Sequence, residues 1–144
     1  MAVRAVYAGS LDGTGPIYKE IAVNANQTIN EGDIVILSGG KASIAADAAS
    51  TGTVLGVSNT SITTGGSVTA DDVIKVDVNP NSLYRMSYIG SATPVIGTKY
   101  DLGAAAYQFD TDDTTGGFIQ VVEKVDTTNK NAVVLLCNRV FTGN

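Results

Sequence analysis

The sequence predicts an all-β protein: a compact antiparallel β-barrel or β-sandwich of roughly eight to ten short strands with an extended N-terminal arm. Three observations carry this expectation. Of 144 residues, 17 are Val, 11 Ile and 16 Thr, so 44 are β-branched, against 7 Leu, 3 Glu and 2 Met. Residues that fit a pleated surface therefore outnumber the good helix formers. Sixteen glycines against only 3 prolines supply the turns. Apolar runs recur about every 8–12 residues, the spacing of sandwiches and barrels. The length is that of one domain, large enough to bury a core without staples. Residues 1–16 read as the arm and 17–144 as a single β domain.

The elements follow in order. MAVRAVYAGSLDGTGP carries Gly9, Gly13, Gly15 and Pro16 after a short apolar piece, so it reads as an extended arm or a frayed terminus. Tyr18–Val23 is the first clear strand. Glu31-Gly32-Asp33 turns the chain into Ile34-Val35-Ile36-Leu37, four apolar residues in a row, which predicts a strand buried on both faces. Ser38-Gly39-Gly40-Lys41 is a tight hairpin into Ala42–Ala45. Ala45–Gly52 is a single helical turn or a loop, too short and without an apolar stripe for more.

Thr53–Val57 is a strand in which Gly56 marks a bulge or a close backbone approach. Ile62 lies between polar stretches, and Thr63-Thr64-Gly65-Gly66 is a turn. Asp72–Val78 alternates, with Ile74, Val76 and Val78 on one face and Lys75 and Asp77 on the other. Leu83–Ile89 sets Tyr84, Met86 and Tyr88 opposite Leu83, Arg85 and Ser87. Gly90–Gly97 is a loop with a short apolar centre. Thr98–Leu102 and Phe118–Val125 alternate again. Asp110–Gly117 is a polar turn and Asp126–Asn131 a hairpin loop. Ala132–Phe141 is the longest apolar run and reads as a central closing strand.

Composition also removes chemistry. With no His, the chain lacks His-based general acid–base work, Ser-His-Asp or Cys-His hydrolysis and the commonest zinc ligand. One cysteine, Cys137, makes neither an intrachain disulfide nor a Cys-rich metal site. No cofactor loop is present: Gly39-Gly40-Lys41 and Gly65-Gly66-Ser67 lack the spacing of a phosphate loop. A net charge of −5 argues against tracking nucleic-acid phosphates. No run approaches the roughly 20 apolar residues of a membrane span, and the first ten residues lack the apolar stretch of a signal peptide. The expectation is a protein made in a cytoplasm.

Three constellations merit weighing. Asp110-x-Asp112-Asp113 resembles a calcium loop, but the Gly and the bidentate Glu that such a loop needs are missing, so a solvated turn is the better reading and an occasional ion stays open. Neighbours Asp71 and Asp72 point to opposite faces of a strand and suit a turn, not a glycosidase pair. The six tyrosines, Tyr7, Tyr18, Tyr84, Tyr88, Tyr100 and Tyr107, serve as core or subunit interface, or as a sugar-stacking platform.

One stretch resembles a known family. Ile29-Asn30-Glu31-Gly32-Asp33-Ile34-Val35 is followed by a Gly-rich hairpin and an alanine segment. Gly52-Thr53-Val54-Leu55-Gly56-Val57 and Ile62-x-x-Gly65-Gly66-x-Val68 come next, and Gly97-Thr98-Lys99-Tyr100-Asp101-Leu102 later. This order is similar to that in tailed-bacteriophage head decoration proteins, also called cement or auxiliary capsid proteins. About a third of the chain carries the resemblance. It implies a non-enzymatic structural protein, a small β-rich homotrimer that binds the viral major capsid protein on the exterior of the virion and braces the head. It also implies a terminal arm that reaches neighbours, for which Val3, Arg4, Val6 and Tyr7 are the contact candidates. Two other classes stay open. One is a carbohydrate- or receptor-binding module of a head fibre or tail. The other is an enzyme working through two carboxylates about 5–10 Å apart.

Overall fold

A computed structural model describes residues 4–45 and 52–142. The alanine-rich segment expected to be a turn or loop falls mostly outside them, as does Val3. All regular structure in the described residues is β. No helix among them is long and apolar enough to cross a membrane. Among the described residues, thirteen strands form two lobes. Beyond the expected count lie three of only two or three residues.

The first lobe is a closed ring. Its longest members are β9 (Ser82–Ile89) and β12 (Ile119–Asp126), joined by β10 (Lys99–Leu102), β11 (Gln108–Asp110) and β13 (Asn131–Leu136). The order is β9-β11-β10-β12-β13, and β13 pairs back onto β9 over five residue pairs, from Asn131↔Ser87 to Leu135↔Leu83. One neighbour is parallel, β11 on β9; the other contacts in the ring are antiparallel. Alternation aims Tyr84, Met86 and Tyr88 inward to meet Tyr100, Phe109 and Phe118. Tyr88 and Tyr100 each stand beside Phe109, with ring centroids 5.5 and 5.7 Å away.

The second lobe is a five-stranded antiparallel sheet, β2-β8-β6-β4-β5. Its strands are β2 (Tyr18–Ala22), β4 (Ile34–Ser38), β5 (Lys41–Ile44), β6 (Val54–Ser58) and β8 (Val73–Asp77). It curls until Val23 meets Ala42 through one isolated parallel bridge. The two-residue pair β3 (Thr28–Ile29) and β7 (Ile62–Thr63) adds Ile29 to its core. That core is aliphatic: Val23, Val35, Leu55, Ile74, Val76 and Val78.

The expected two-faced burial of Ile34–Leu37 has a specific cause. Ile34 and Ile36 pack into the ring's core, while Val35 and Leu37 pack into the core of the second lobe. Strand β6 does the same with Val54 and Val57 on one side and Leu55 on the other. Both strands are therefore shared walls. The β4–β5 hairpin closes on Gly39-Gly40, with φ of 61° and 81°, the left-handed pair that suits strand twist. Gly56 is the expected close approach: a Cβ there would sit 1.9 Å from the Asp77 carbonyl oxygen, at a φ of 149°.

The apolar run from Ala132 is shorter as a strand than expected. Strand β13 stops at Leu136, and Asn138, at a φ of 56°, turns the chain across to the second lobe. There Val54 donates its N–H to the Asn138 carbonyl and Val140 donates to the Val54 carbonyl. The N-terminal segment is extended, as expected, and it lies on its own body. Strand β1 (Val6–Ser10) pairs antiparallel with β9, from Val6↔Arg85 to Ser10↔Ser82.

Candidate functional site: the N-terminal strand and the surfaces beside it

Of the four contact candidates, Val3 lies outside the described residues. Arg4 is held twice: its guanidinium pairs with Asp33 at 2.5 Å and stacks 4.4 Å from the centroid of the Tyr107 ring. Val6 is 55% exposed. Tyr7 meets the Tyr84 ring edge-on at 5.8 Å and donates its hydroxyl to the Thr14 carbonyl at 3.3 Å. The structure thus joins Arg4 and Tyr7 to the body and leaves Val6 as the side chain facing outward.

The Glu31-Gly32-Asp33 turn is the clasp for this segment. Asp33 is only 2% exposed, and its second carboxylate oxygen accepts the Asn30 N–H at 2.9 Å. Gly32 has a φ of 92°, and a Cβ there would stand 2.7 Å from the Arg4 Cβ. Glycine at this position therefore permits both the turn and the close passage of the chain start. The Glu31-Gly32-Asp33 turn thus holds residues 4 and 5.

A second anchor, missed by pattern reading, is Asp77. Alternation put it on the solvent side with Lys75, yet it is 1% exposed. The side of β8 away from the aliphatic core faces the ring at this end. Its carboxylate accepts the Tyr84 hydroxyl at 2.6 Å and the N–H groups of Ile17 and Asn79 at 3.0 and 3.1 Å. Half-buried Arg139 donates to the Asp77 carbonyl at 3.3 Å. Burial first, and then the Asp77 carboxylate, push the Tyr84 hydroxyl far above the ordinary tyrosine range. Burial lowers the Arg139 guanidinium from its usual value. The amide of Asn79 continues the tether by donating to the Thr14 hydroxyl and the Gly15 carbonyl, both at 2.9 Å.

Two clefts flank this region. The first, about 250 Å³, lies between β1 and the second lobe, with Tyr7, Tyr18 and Tyr84 among its walls and Glu31 and Asn59 beside them. The second, about 510 Å³, is lined by Ile17, Ile21, Val78, Pro80 and Phe141, with Lys19 and Glu20 as its charged members. Phe141 and Ile17 are both exposed there.

The remaining acidic constellations lie in turns and loops, where their carboxylates accept backbone N–H groups. The Asp112 carboxylate accepts the Ser91 and Ala92 N–H groups at 2.9 and 3.2 Å, and Asp110 and Asp113 accept N–H groups two residues on. Asp72 accepts the Thr69 N–H in a turn. No group of three His, Cys, Asp or Glu among the described residues is placed to hold a metal. Burial raises the Cys137 thiol above its usual range, which suits a packed side chain more than a nucleophile. Tyr84, Tyr88 and Tyr100 are core residues, whereas Tyr18 is exposed. No family model matches the chain, and no curated protein matches it.

Proposed function

We propose that the protein is a structural component of a tailed-phage virion, a homotrimer that seats on the outside of the capsid and braces it. One observation carries this reading: a β body with shared walls leaves an apolar cleft, Ile17–Phe141, and the apolar strand residue Val6 open on its surface. Exposed apolar side chains of this kind suit protein–protein contact. The resemblance over Thr28–Val68 supports the same reading, because its Glu-Gly-Asp turn is what fastens the N-terminal strand. Binding through three footprints on one trimer multiplies weak single contacts through effective concentration. Light scattering is expected to give three times the chain mass, and the protein is expected to co-sediment with expanded capsids. A strict monomer with no capsid affinity overturns the proposal.

A second reading has its own observation. Tyr7 and Tyr18 wall a cleft that also offers the Glu31 carboxylate and the Asn59 amide. Burial first, and then the nearby Asp77 charge, raise the Tyr18 hydroxyl above the ordinary tyrosine range. Aromatic faces beside polar groups suit a sugar ring. Binding on a glycan array that Tyr18→Ala abolishes supports this reading, and an array without signal removes it.

A further inference from the structure

We infer that the cleft walled by Tyr7, Tyr18 and Tyr84 is a socket for an arginine side chain presented by a partner protein, with the guanidinium stacked on tyrosine and paired with the Glu31 carboxylate. The inference rests on the capsid-binding reading above only in making the partner a protein, and it names the chemistry of the contact.

The backbone sets the walls. The Gly32 N–H donates to the Ser58 carbonyl at 2.9 Å and the Ser58 N–H to the Asp33 carbonyl at 2.8 Å, so the Glu31-Gly32-Asp33 turn and the end of β6 are joined. The Glu31 N–H donates to the Ser61 hydroxyl at 2.9 Å. Register sets Tyr18 opposite Asp77, and Tyr7 stands edge-on against Tyr84. Rings and turn are therefore in place before a ligand arrives, which lowers the ordering cost of binding. The rim is open: Val6 and Tyr18 are 55% and 43% exposed, and Glu31 and Asn59 are exposed as well. At about 250 Å³ the cleft is smaller than the roughly 300–1,000 Å³ usual for small-molecule pockets, and it has room for one long side chain.

The charge of the walls has one sign. Glu31 is among them and no Lys or Arg is. The Glu31 carboxylate has no hydrogen-bond or ion-pair partner among the described residues. The cations nearby in sequence or register belong elsewhere. Arg4 is engaged by Asp33 and the Tyr107 ring, Lys19 lines the other cleft, and Lys75 stands opposite Glu20 in the β2–β8 ladder. After burial, the Asp77, Tyr7 and Glu31 groups push the Tyr18 hydroxyl upward, so these groups act on one another. Electron-rich ring faces beside an unpaired carboxylate attract an organic cation. The Glu31 carboxylate favours a cation that donates hydrogen bonds, which a quaternary ammonium cannot do. Guanidinium is planar, stacks on aromatic faces and meets a carboxylate through two N–H groups, whereas an ammonium is compact and more strongly hydrated. The arginines of this chain are taken: Arg85 donates to the Asn131 side chain at 2.6 Å and Arg139 to the Asp77 carbonyl, beside the Arg4–Asp33 pair. The guanidinium therefore comes from another protein.

A chemical-shift titration of the full chain with N-acetyl-argininamide tests this. Saturable shifts are expected at the amides of Ala5, Glu31, Gly32, Ser58 and Asn59. The neutral isostere N-acetyl-citrullinamide is expected to leave these in place, and N-acetyl-lysinamide to bind more weakly than the arginine probe. Glu31→Gln and Tyr18→Ala are each expected to weaken binding roughly three- to fivefold, while Tyr18→Phe keeps it. Both side chains are exposed, so all three variants are expected to retain the wild-type melting profile by circular dichroism. No saturable shift at the cleft, equal binding of the citrulline probe, or an unchanged affinity in Glu31→Gln would overturn the socket. Equal binding of the lysine probe overturns the assignment to arginine, and shifts from neutral sugars alone give the cleft to the second reading. The titration uses no capsid. Its failure with capsid co-sedimentation intact removes this site alone, and its success without co-sedimentation removes the virion reading alone.

Discussion

The two lobes differ in the residues of their cores and in the way they close. The ring brings β13 back onto β9 through a five-pair backbone ladder around an aromatic core. The second lobe has a single bridge, Val23↔Ala42, around an aliphatic core. Side chains complete what the backbone does not. The Asn24 amide donates to the Ser38 carbonyl at 3.0 Å and the Ser43 hydroxyl at 2.8 Å. The Gln27 side-chain amide oxygen accepts the Ile44 N–H at 2.8 Å, and the Thr64 hydroxyl donates to the Asn24 backbone carbonyl at 2.7 Å. Closure by a ladder spreads its stability over many equal bonds. Closure by side chains concentrates it in a few named residues, which makes the second lobe the place where single substitutions act locally.

The largest effect is expected where the lobes meet. Gly56→Ala forces a Cβ against the Asp77 carbonyl and removes the Asp77–Gly56 approach on which both cores depend, at a cost of about 4 kcal/mol or more. Gly65→Ala, which meets open space, is expected to stay within about 0.5 kcal/mol of the wild type. Chemical denaturation reads both. Next comes Phe109→Ala in the ring, about 3–5 kcal/mol, because Phe109 is fully buried and joins two tyrosines. If the shared walls couple the lobes, fluorescence and circular dichroism will report one coincident transition for this variant. Separated transitions would break the comparison into two independent units.

Tyr84→Phe probes the polar seam. It leaves one Asp77 oxygen without its partner and is expected to cost about 1–3 kcal/mol at neutral pH. The sign with pH follows from the raised hydroxyl. The folded state favours the neutral phenol, so this contribution is complete below about pH 10 and falls as the pH rises beyond it. The variant is expected to show a flatter alkaline limb in its melting temperature than the wild type. The smallest effect is the most local. Asn24→Ala is expected to cost about 1 kcal/mol and to speed amide exchange in β2 and β5 while β9 and β13 keep their protection. Equal acceleration in both lobes would remove the distinction drawn between their closures.

Pattern reading reaches as far as patterns do. The alternation of Ile74, Val76 and Val78 has a two-residue period, and a period names a face. The unbroken run at Ile34–Leu37 signals two buried faces, and an unexpected glycine inside a strand signals contact. Strands β3, β7 and β11 are too short to have a period, which is why they were invisible. Asp77 sits in the correct polar phase, but the layer behind it comes from residues 84 and 139, which no local pattern in β8 contains. The pairing of Val6–Ser10 with β9 spans more than 70 residues and leaves no mark on either segment alone. At the candidate surfaces, Val6 and Tyr7 are at the first cleft. Two consecutive apolar residues such as Val95-Ile96 look the same in sequence whether they are buried or held out to water.

The return of β13 onto β9 also sets a timetable. Strand β9 finds its partners at residues 6–10, 108–110 and 131–135, so the ring cannot close on a growing chain before the ribosome has released that last segment. Until then Phe109, Tyr100 and Tyr88 line an open trough with unpaired edges. Nascent chains stalled short of residue 131 are the form in which this protein would aggregate or engage a chaperone.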